Sequence, residues 1–141
     1  MYPDWQDILV VDQDPLRRAL IERILRQEGF EVAAVSEGLA ALRAASADRF
    51  SLIVAATDLP GTLDGAATVL QARARQPWLR ALFVEAGACS VRPNYSNQDG
   101  VIASPFQRRE LLGCIFELLH RDPVPDAADL TQRCRAEFYA R

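Results

Sequence analysis

The sequence is short of several features that would assign a protein to a functional class. Its three cysteines, Cys89, Cys114 and Cys134, lack the paired spacing of a zinc or redox site, which favours reduced thiols in an intracellular protein. The formal net charge is only -3, so the composition indicates no nucleic acid partner and no anionic membrane. A single histidine, His120, excludes catalytic arrangements that need two.

Segments that would direct the chain to a membrane are also lacking. The first residues, MYPDWQDILVV, have no basic start followed by an apolar stretch of signal-peptide length. No apolar run approaches the roughly 20 residues of a membrane-spanning helix. The 141 residues have ordinary globular composition, with 50% hydrophobic and 25% charged residues. We therefore expect one soluble domain in the cytoplasm.

Short apolar runs alternate with segments of helical periodicity along most of the chain. The runs predict strands over 8–11, 30–35, 52–56, 79–86 and 100–104. The periodic segments predict helices over 15–28, from 36 through 45, from about 65 to a stop before Pro77, and over 107–120. This alternation implies right-handed crossovers and a parallel sheet with helices on both faces.

The last residues read as an addition to that domain. The segment RDPVPD is typical of a stiff polar linker, and the apolar positions Leu130, Cys134 and Phe138 then predict an extra helix. We divide the chain into a domain over 1–121 and a linker with a C-terminal helix over 122–141. The extra helix is expected to dock on its own domain, and docking on a second subunit or a partner is the alternative.

The candidate functional positions lie where the predicted strands end, because parallel sheets bind their ligands at that edge. The residues are Asp12, Gln13 and Asp14 after the first strand, Ala56 to Asp58 at the third, Glu85 at the fourth and Ser104 at the fifth. No glycine-rich phosphate loop follows the first strand, which argues against a dinucleotide or P-loop site. Any chemistry should therefore depend on these side chains.

Three stretches at these strand ends occur in an order typical of one family. They are ILVVDQDPLRRALIERILRQEGFEV, DLPGTLDG and SPF. Over about residues 7–120 they resemble the receiver domains of two-component response regulators. The resemblance implies a flavodoxin-like (βα)5 three-layer sandwich with strand order 2-1-3-4-5. The segment 87–100 is shorter than the family's, which implies a shortened fourth helix.

The family accepts a phosphoryl group from a histidine kinase on an aspartate at the end of the third strand. The resemblance implies that Mg²⁺ is held there by an acidic pair after the first strand and by the backbone carbonyl two residues past that aspartate. Counting four residues back from the loop proline, Pro60, places Ala56 at the position of that aspartate. The family's phosphate-binding lysine is replaced by Ser104, and the next bond, to Pro105, is expected to be cis. The resemblance therefore implies a degenerate pocket.

The acidic side chains of this pocket leave alternatives open. Asp12 is retained from the family's acidic pair, Gln13 replaces its neighbour and Asp14 follows, so Mg²⁺ binding through Asp12 and Asp14 is expected to be weak or absent. Glu85 replaces the family's switch hydroxyl. It either imitates the charge of a phosphorylated aspartate or points to solvent.

We predict an atypical receiver domain in phosphorelay signalling that is not an enzyme and requires no cofactor. It would act by binding a protein: a histidine kinase, another response regulator or an output protein, with a homodimer as a further alternative. A rival prediction is a phosphorylatable receiver that uses Asp58 or Asp14 as the acceptor. A second rival is a small enzyme or ligand-binding protein of the same topology, for which no nucleophile and base pair is evident.

Overall fold

The protein is built on one five-stranded parallel sheet. We describe it from a computed structural model, which describes residues 8–86 and 98–120. The strands are β1 (Ile8–Val11), β2 (Val32–Val35), β3 (Leu52–Ala56), β4 (Arg80–Ala86) and β5 (Asp99–Ser104). Their order in the sheet is β2-β1-β3-β4-β5, which is the predicted flavodoxin-like order.

Four helices are described, on both sides of the sheet. They are α1 (Pro15–Gln27), α2 (Gly38–Ala47), α3 (Gly65–Arg75) and α4 (Arg108–Leu119). Because strand side chains alternate between the faces, the sheet contributes to two separate cores. One core joins α2 and α3 to the sheet through residues such as Leu42, Val69 and Phe83. The other joins α1 and α4 to it through residues such as Ile21, Val54 and Ile115.

The observed strand and helix bounds agree closely with the predicted ones. β1 and β3 have the predicted bounds, and most other ends differ by one or two residues. β2 begins at Val32 rather than Phe30, because the chain first closes the end of α1. Gly29 has a φ of 92°, its N–H donates to the carbonyl of Arg26, and the N–H of Phe30 donates to that of Leu25. These two bonds form a Schellman motif, which takes Phe30 out of the strand.

Several predictions concern parts of the chain outside the described residues. They are the shortened helix after β4, the linker, the C-terminal helix, and the surroundings of Cys89 and Cys134. Cys114 is described and lies half-buried in α4 as a free thiol. Burial raises the pKa of this thiol, and the nearby carboxylates of Glu117 and Glu110 act in the same direction.

Gly65 brings the start of α3 against the end of β3. A Cβ atom at this position would overlap the carbonyl oxygen of Ala56. We expect Gly65→Ala to lower the free energy of unfolding by about 1–3 kcal/mol, the usual effect of overpacking a close contact. Urea unfolding measures the change.

Gly113→Ala is the matched control, because a Cβ atom on this glycine of α4 would meet nothing within 4 Å. It should raise the free energy of unfolding by about 0.5–1 kcal/mol, because alanine favours a helix interior over glycine. Equal effects of the two substitutions would contradict the close contact at Gly65.

Candidate functional site

A polar cleft of about 380 Å³ opens at the carboxyl edge of the sheet, among the ends of β1, β3 and β4. Its lining consists of Gln13, Asp14, Pro15, Arg17, Ala56, Asp58, Val84 and Ala86. Four of the residues predicted from the strand ends therefore meet in one place. Arg17 lines the cleft as well, and the sequence reasoning did not single it out.

Asp12 directly follows β1, next to the lining residue Gln13, and is 1% exposed. Its carboxylate accepts two bonds from the Arg17 guanidinium, one from Nε to Oδ2 and one from Nη2 to Oδ1, the latter 2.8 Å long. The same Oδ1 accepts the backbone N–H of Asp14 at 2.9 Å. Two parallel charge-assisted bonds are the strongest geometry available to an arginine and a carboxylate. Asp12 is therefore already paired with a cation supplied by the chain.

Arg17 is held in this pair by its place in the first turn of α1. Its side chain is 14% exposed. The hydrogen bond to Asp12 raises the pKa of Arg17, while partial burial acts in the opposite direction. The neighbouring Arg18 donates from Nη1 to the backbone carbonyl of Asp12 at 2.9 Å. Asp12 thus receives an arginine on its carboxylate and another on its backbone.

Asp14, predicted as a candidate metal ligand, is the N-cap of α1. Its Oδ1 accepts the N–H of Leu16 at 3.0 Å and that of Arg17 at 3.4 Å. Aspartate is among the preferred N-cap residues, and Pro15 at the first helical position strengthens the assignment. The sequence DP therefore contained the signal for a cap.

Gln13 connects the loop after β1 to the loop after β3. Its Nε2 donates to the backbone carbonyl of Asp58 at 3.1 Å. According to the family resemblance, this carbonyl, two residues past the phosphoacceptor position, is a metal ligand. In this structure it accepts a hydrogen bond from a side chain instead. The Asp58 side chain itself is exposed.

Ala56 ends β3 and is 2% exposed, so a methyl group lies at the predicted phosphoacceptor position. It pairs in register with Val84 of β4. The next residue, Thr57, donates its hydroxyl to the carbonyl of Val84 at 3.4 Å.

Glu85, Ser104 and Pro105 are not among the described residues that line the cleft. Glu85 is 8% exposed, so the alternative that it points to solvent is wrong. It lies in β4 between Val84 and Ala86, two residues that line the cleft. Ser104 ends β5 half-buried, and its bond to Pro105 is cis, as predicted.

The residues of this cleft do not fit a magnesium ion. Mg²⁺ needs oxygen ligands in near-octahedral geometry, and the retained carboxylate of Asp12 is engaged by Arg17. The carbonyl of Asp58 is engaged by Gln13. Within residues 8–86 and 98–120, no three His, Cys, Asp or Glu side chains are placed to share a metal ion.

A membrane span is likewise not found in the described part of the chain, where no helix combines sufficient length with sufficient hydrophobicity.

Residues 8–115 match the model of the response regulator receiver domain family. The transcriptional regulatory proteins TcrA and PrrA of Mycobacterium tuberculosis are 30% identical over 122 residues and 34% identical over 117 residues. These alignments cover 84% and 81% of this chain, but 47% and 50% of the two relatives. The chain therefore spans about half the length of these curated relatives.

Solved structures give the same fold. The receiver domain of sensor histidine kinase PA1611 from Pseudomonas aeruginosa, solved with a magnesium ion in its active site cleft, has a TM-score of 0.68 and 27% identity. The match covers 83% of this chain and 99% of that one. A response regulator receiver protein from Sinorhizobium medicae shares the fold with a TM-score of 0.72 and 21% identity, over 84% and 97% of the two chains. The chain belongs to the response regulator receiver domain family of two-component systems.

Proposed function

We propose that this receiver domain does not accept a phosphoryl group and acts in two-component signalling by binding another protein. The observation that carries the proposal is Ala56 at the end of β3, where the family places its phosphoacceptor. A methyl group has no lone pair with which to attack phosphorus. Any phosphoryl transfer would need a different acceptor.

The neighbouring candidates are poorly suited to replace it. Asp58 is exposed, and its backbone is bonded to Gln13. Asp14 uses Oδ1 to cap α1, and the hydroxyl of Thr57 donates to the backbone of β4. Phosphoryl transfer depends on positioning and on neutralising charge, and neither is arranged around these side chains.

The cations that would neutralise a phosphate are also differently arranged. The whole chain contains no lysine, and Ser104 stands at the position of the family's lysine. Arg17 lines the cleft, but its guanidinium is paired with Asp12. These features support a domain without catalytic activity of its own, which also requires no bound cofactor.

The proposed partners follow from the family. A histidine kinase, another response regulator or an output protein would recognise the surface of the domain, and a second copy of the chain is the alternative. We place this interaction in the cytoplasm. Affinity capture from the native cell, with residues 125–141 present and deleted, would identify the partner and show whether the tail is needed.

Incubation with an acyl phosphate and Mg²⁺, followed by intact mass measurement, tests the absence of an acceptor. We expect no gain of a phosphoryl group, because Ala56 offers no acceptor, Asp14 already caps α1 and the Asp58 side chain is exposed. A receiver domain that has aspartate at the Ala56 position is the positive control. A stable gain that Asp58→Asn or Asp14→Asn abolishes would identify the alternative acceptor and contradict the proposal.

We further propose that the carboxylate of Glu85 contributes to this function. A carboxylate at the end of β4 would hold the domain in a single binding conformation by imitating the charge of a phosphorylated aspartate. We expect Glu85→Gln, which keeps the shape and removes the charge, to weaken the partner complex about tenfold, or 1.4 kcal/mol. Calorimetry with the captured partner measures the change, and an unchanged affinity would refute the hypothesis.

A further inference from the structure

We infer that Arg17 and Gln13 take the places of a divalent cation in the cleft and close it to Mg²⁺. The inference goes beyond the proposed function, because it concerns what fills the cleft and not whether a nucleophile or a partner is present. The side chains that meet here differ from those of the family's metal site.

Arg17 occupies the carboxylate of Asp12. Both carboxylate oxygens accept from the guanidinium, and Oδ1 also accepts the N–H of Asp14. Mg²⁺ binds oxygen at about 2.0–2.1 Å and loses its waters reluctantly, so it would have to displace the guanidinium rather than share the carboxylate with it. The guanidinium at hydrogen-bond distance would also repel an incoming cation.

Gln13 occupies the backbone carbonyl of Asp58 with a hydrogen bond. The side-chain amide nitrogen of Gln13 donates to this oxygen at 3.1 Å. Glutamine at this position brings a hydrogen-bond donor where the family has a second acid. The two contacts together engage both retained oxygen ligands with donors from the chain itself.

Arg17 is held in place by α1 and its cap. Asp14 accepts the first N–H groups of the helix and Pro15 occupies its first position, which fixes the turn that carries Arg17. Arg18, one residue further, binds the backbone of Asp12 and not its carboxylate. The adjacent arginines therefore have different roles, and this difference provides a control.

Titration of the full chain with Mg²⁺ tests the inference, with binding followed by calorimetry and thermal unfolding followed with and without the ion. We expect no saturable binding and no change in Tm for the wild type. Arg17→Ala should show saturable Mg²⁺ binding, at least about tenfold tighter than any residual binding by the wild type, because a like charge at contact distance is removed, and its Tm should rise with the ion. Arg18→Ala should behave as the wild type.

A second variant, Arg17→Met, keeps most of the side-chain bulk for the case in which Arg17→Ala does not fold, and circular dichroism reports folding. Mg²⁺ binding by the wild type as tight as by these variants would overturn the inference. So would folded Arg17 variants that bind no Mg²⁺, or an equal gain in Arg18→Ala. None of these results depends on phosphorylation, so the proposed function is tested separately.

Discussion

Replacing Arg17 with alanine is expected to lower the free energy of unfolding by about 3–5 kcal/mol, which is the usual cost of leaving one member of a buried ion pair without its partner. Asp12 is 1% exposed, and in the variant only the N–H of Asp14 would be left as a described donor to its carboxylate. Urea unfolding of the variant, without divalent ions, measures the loss.

A double-mutant comparison separates this charge effect from the loss of packing. Asp12→Ala with Arg17→Ala should recover a large part of the loss, because no unpaired buried charge remains. Arg18→Ala, which removes a neighbouring arginine but leaves the pair intact, should cost clearly less. If the single and double variants were equally destabilised, the pair would not be the source of the effect.

Replacing Gln76 with leucine is expected to cost about 3 kcal/mol or more. Gln76 is the C-cap residue of α3 and is 4% exposed. Its Oε1 accepts the N–H of Phe50 at 2.9 Å, and its Nε2 donates to the carbonyls of Ala45 and Asp48, both at 2.7 Å. Leucine would leave these backbone groups without that partner, and each buried group left unsatisfied costs about 1–3 kcal/mol.

Gln71→Leu is the matched control, because Gln71 lies exposed on the same helix. Its effect should stay within about 0.5 kcal/mol, as is usual for surface positions. Thermal and urea unfolding of the two variants measure the loss of stability. Similar losses in both would show that the hydrogen bonds of Gln76 contribute little.

The two effects act at opposite ends of the sheet. Arg17 sets the state of the cleft at the carboxyl edge, whereas Gln76 joins the ends of α2 and α3 beside the chain that enters β3. In the proposed function the cleft is held in one state by an internal ion pair. Partner binding would then depend on the amount of the protein and not on its phosphorylation.

Much of the candidate site could be predicted because it depends on local patterns. The apolar runs predicted the bounds of β1 and β3, and the spacing of four residues between Ala56 and the loop proline predicted the residue at the phosphoacceptor position. The cap formed by Asp14 was readable from the residues that follow it. The receiver motifs then supplied the strand order, which was confirmed.

The side-chain contacts could not be predicted in the same way. Arg17 and Arg18 are alike in the sequence, and only the direction of α1 from its cap decides which one reaches the carboxylate of Asp12. The burial of Glu85 depends on which face of β4 is covered, and the bond between Gln13 and Asp58 joins loops 45 residues apart.

By itself, the sequence determined the alternation of strands and helices, the family and the methyl group at the end of β3, because these depend on hydrophobic periodicity and residue spacing. Tertiary structure alone decided that Arg17 pairs with the carboxylate of Asp12 and that Gln13 donates a hydrogen bond to the carbonyl of Asp58. Those contacts form only when separate strand ends meet at one edge of the sheet, where distance and direction decide which charges are paired.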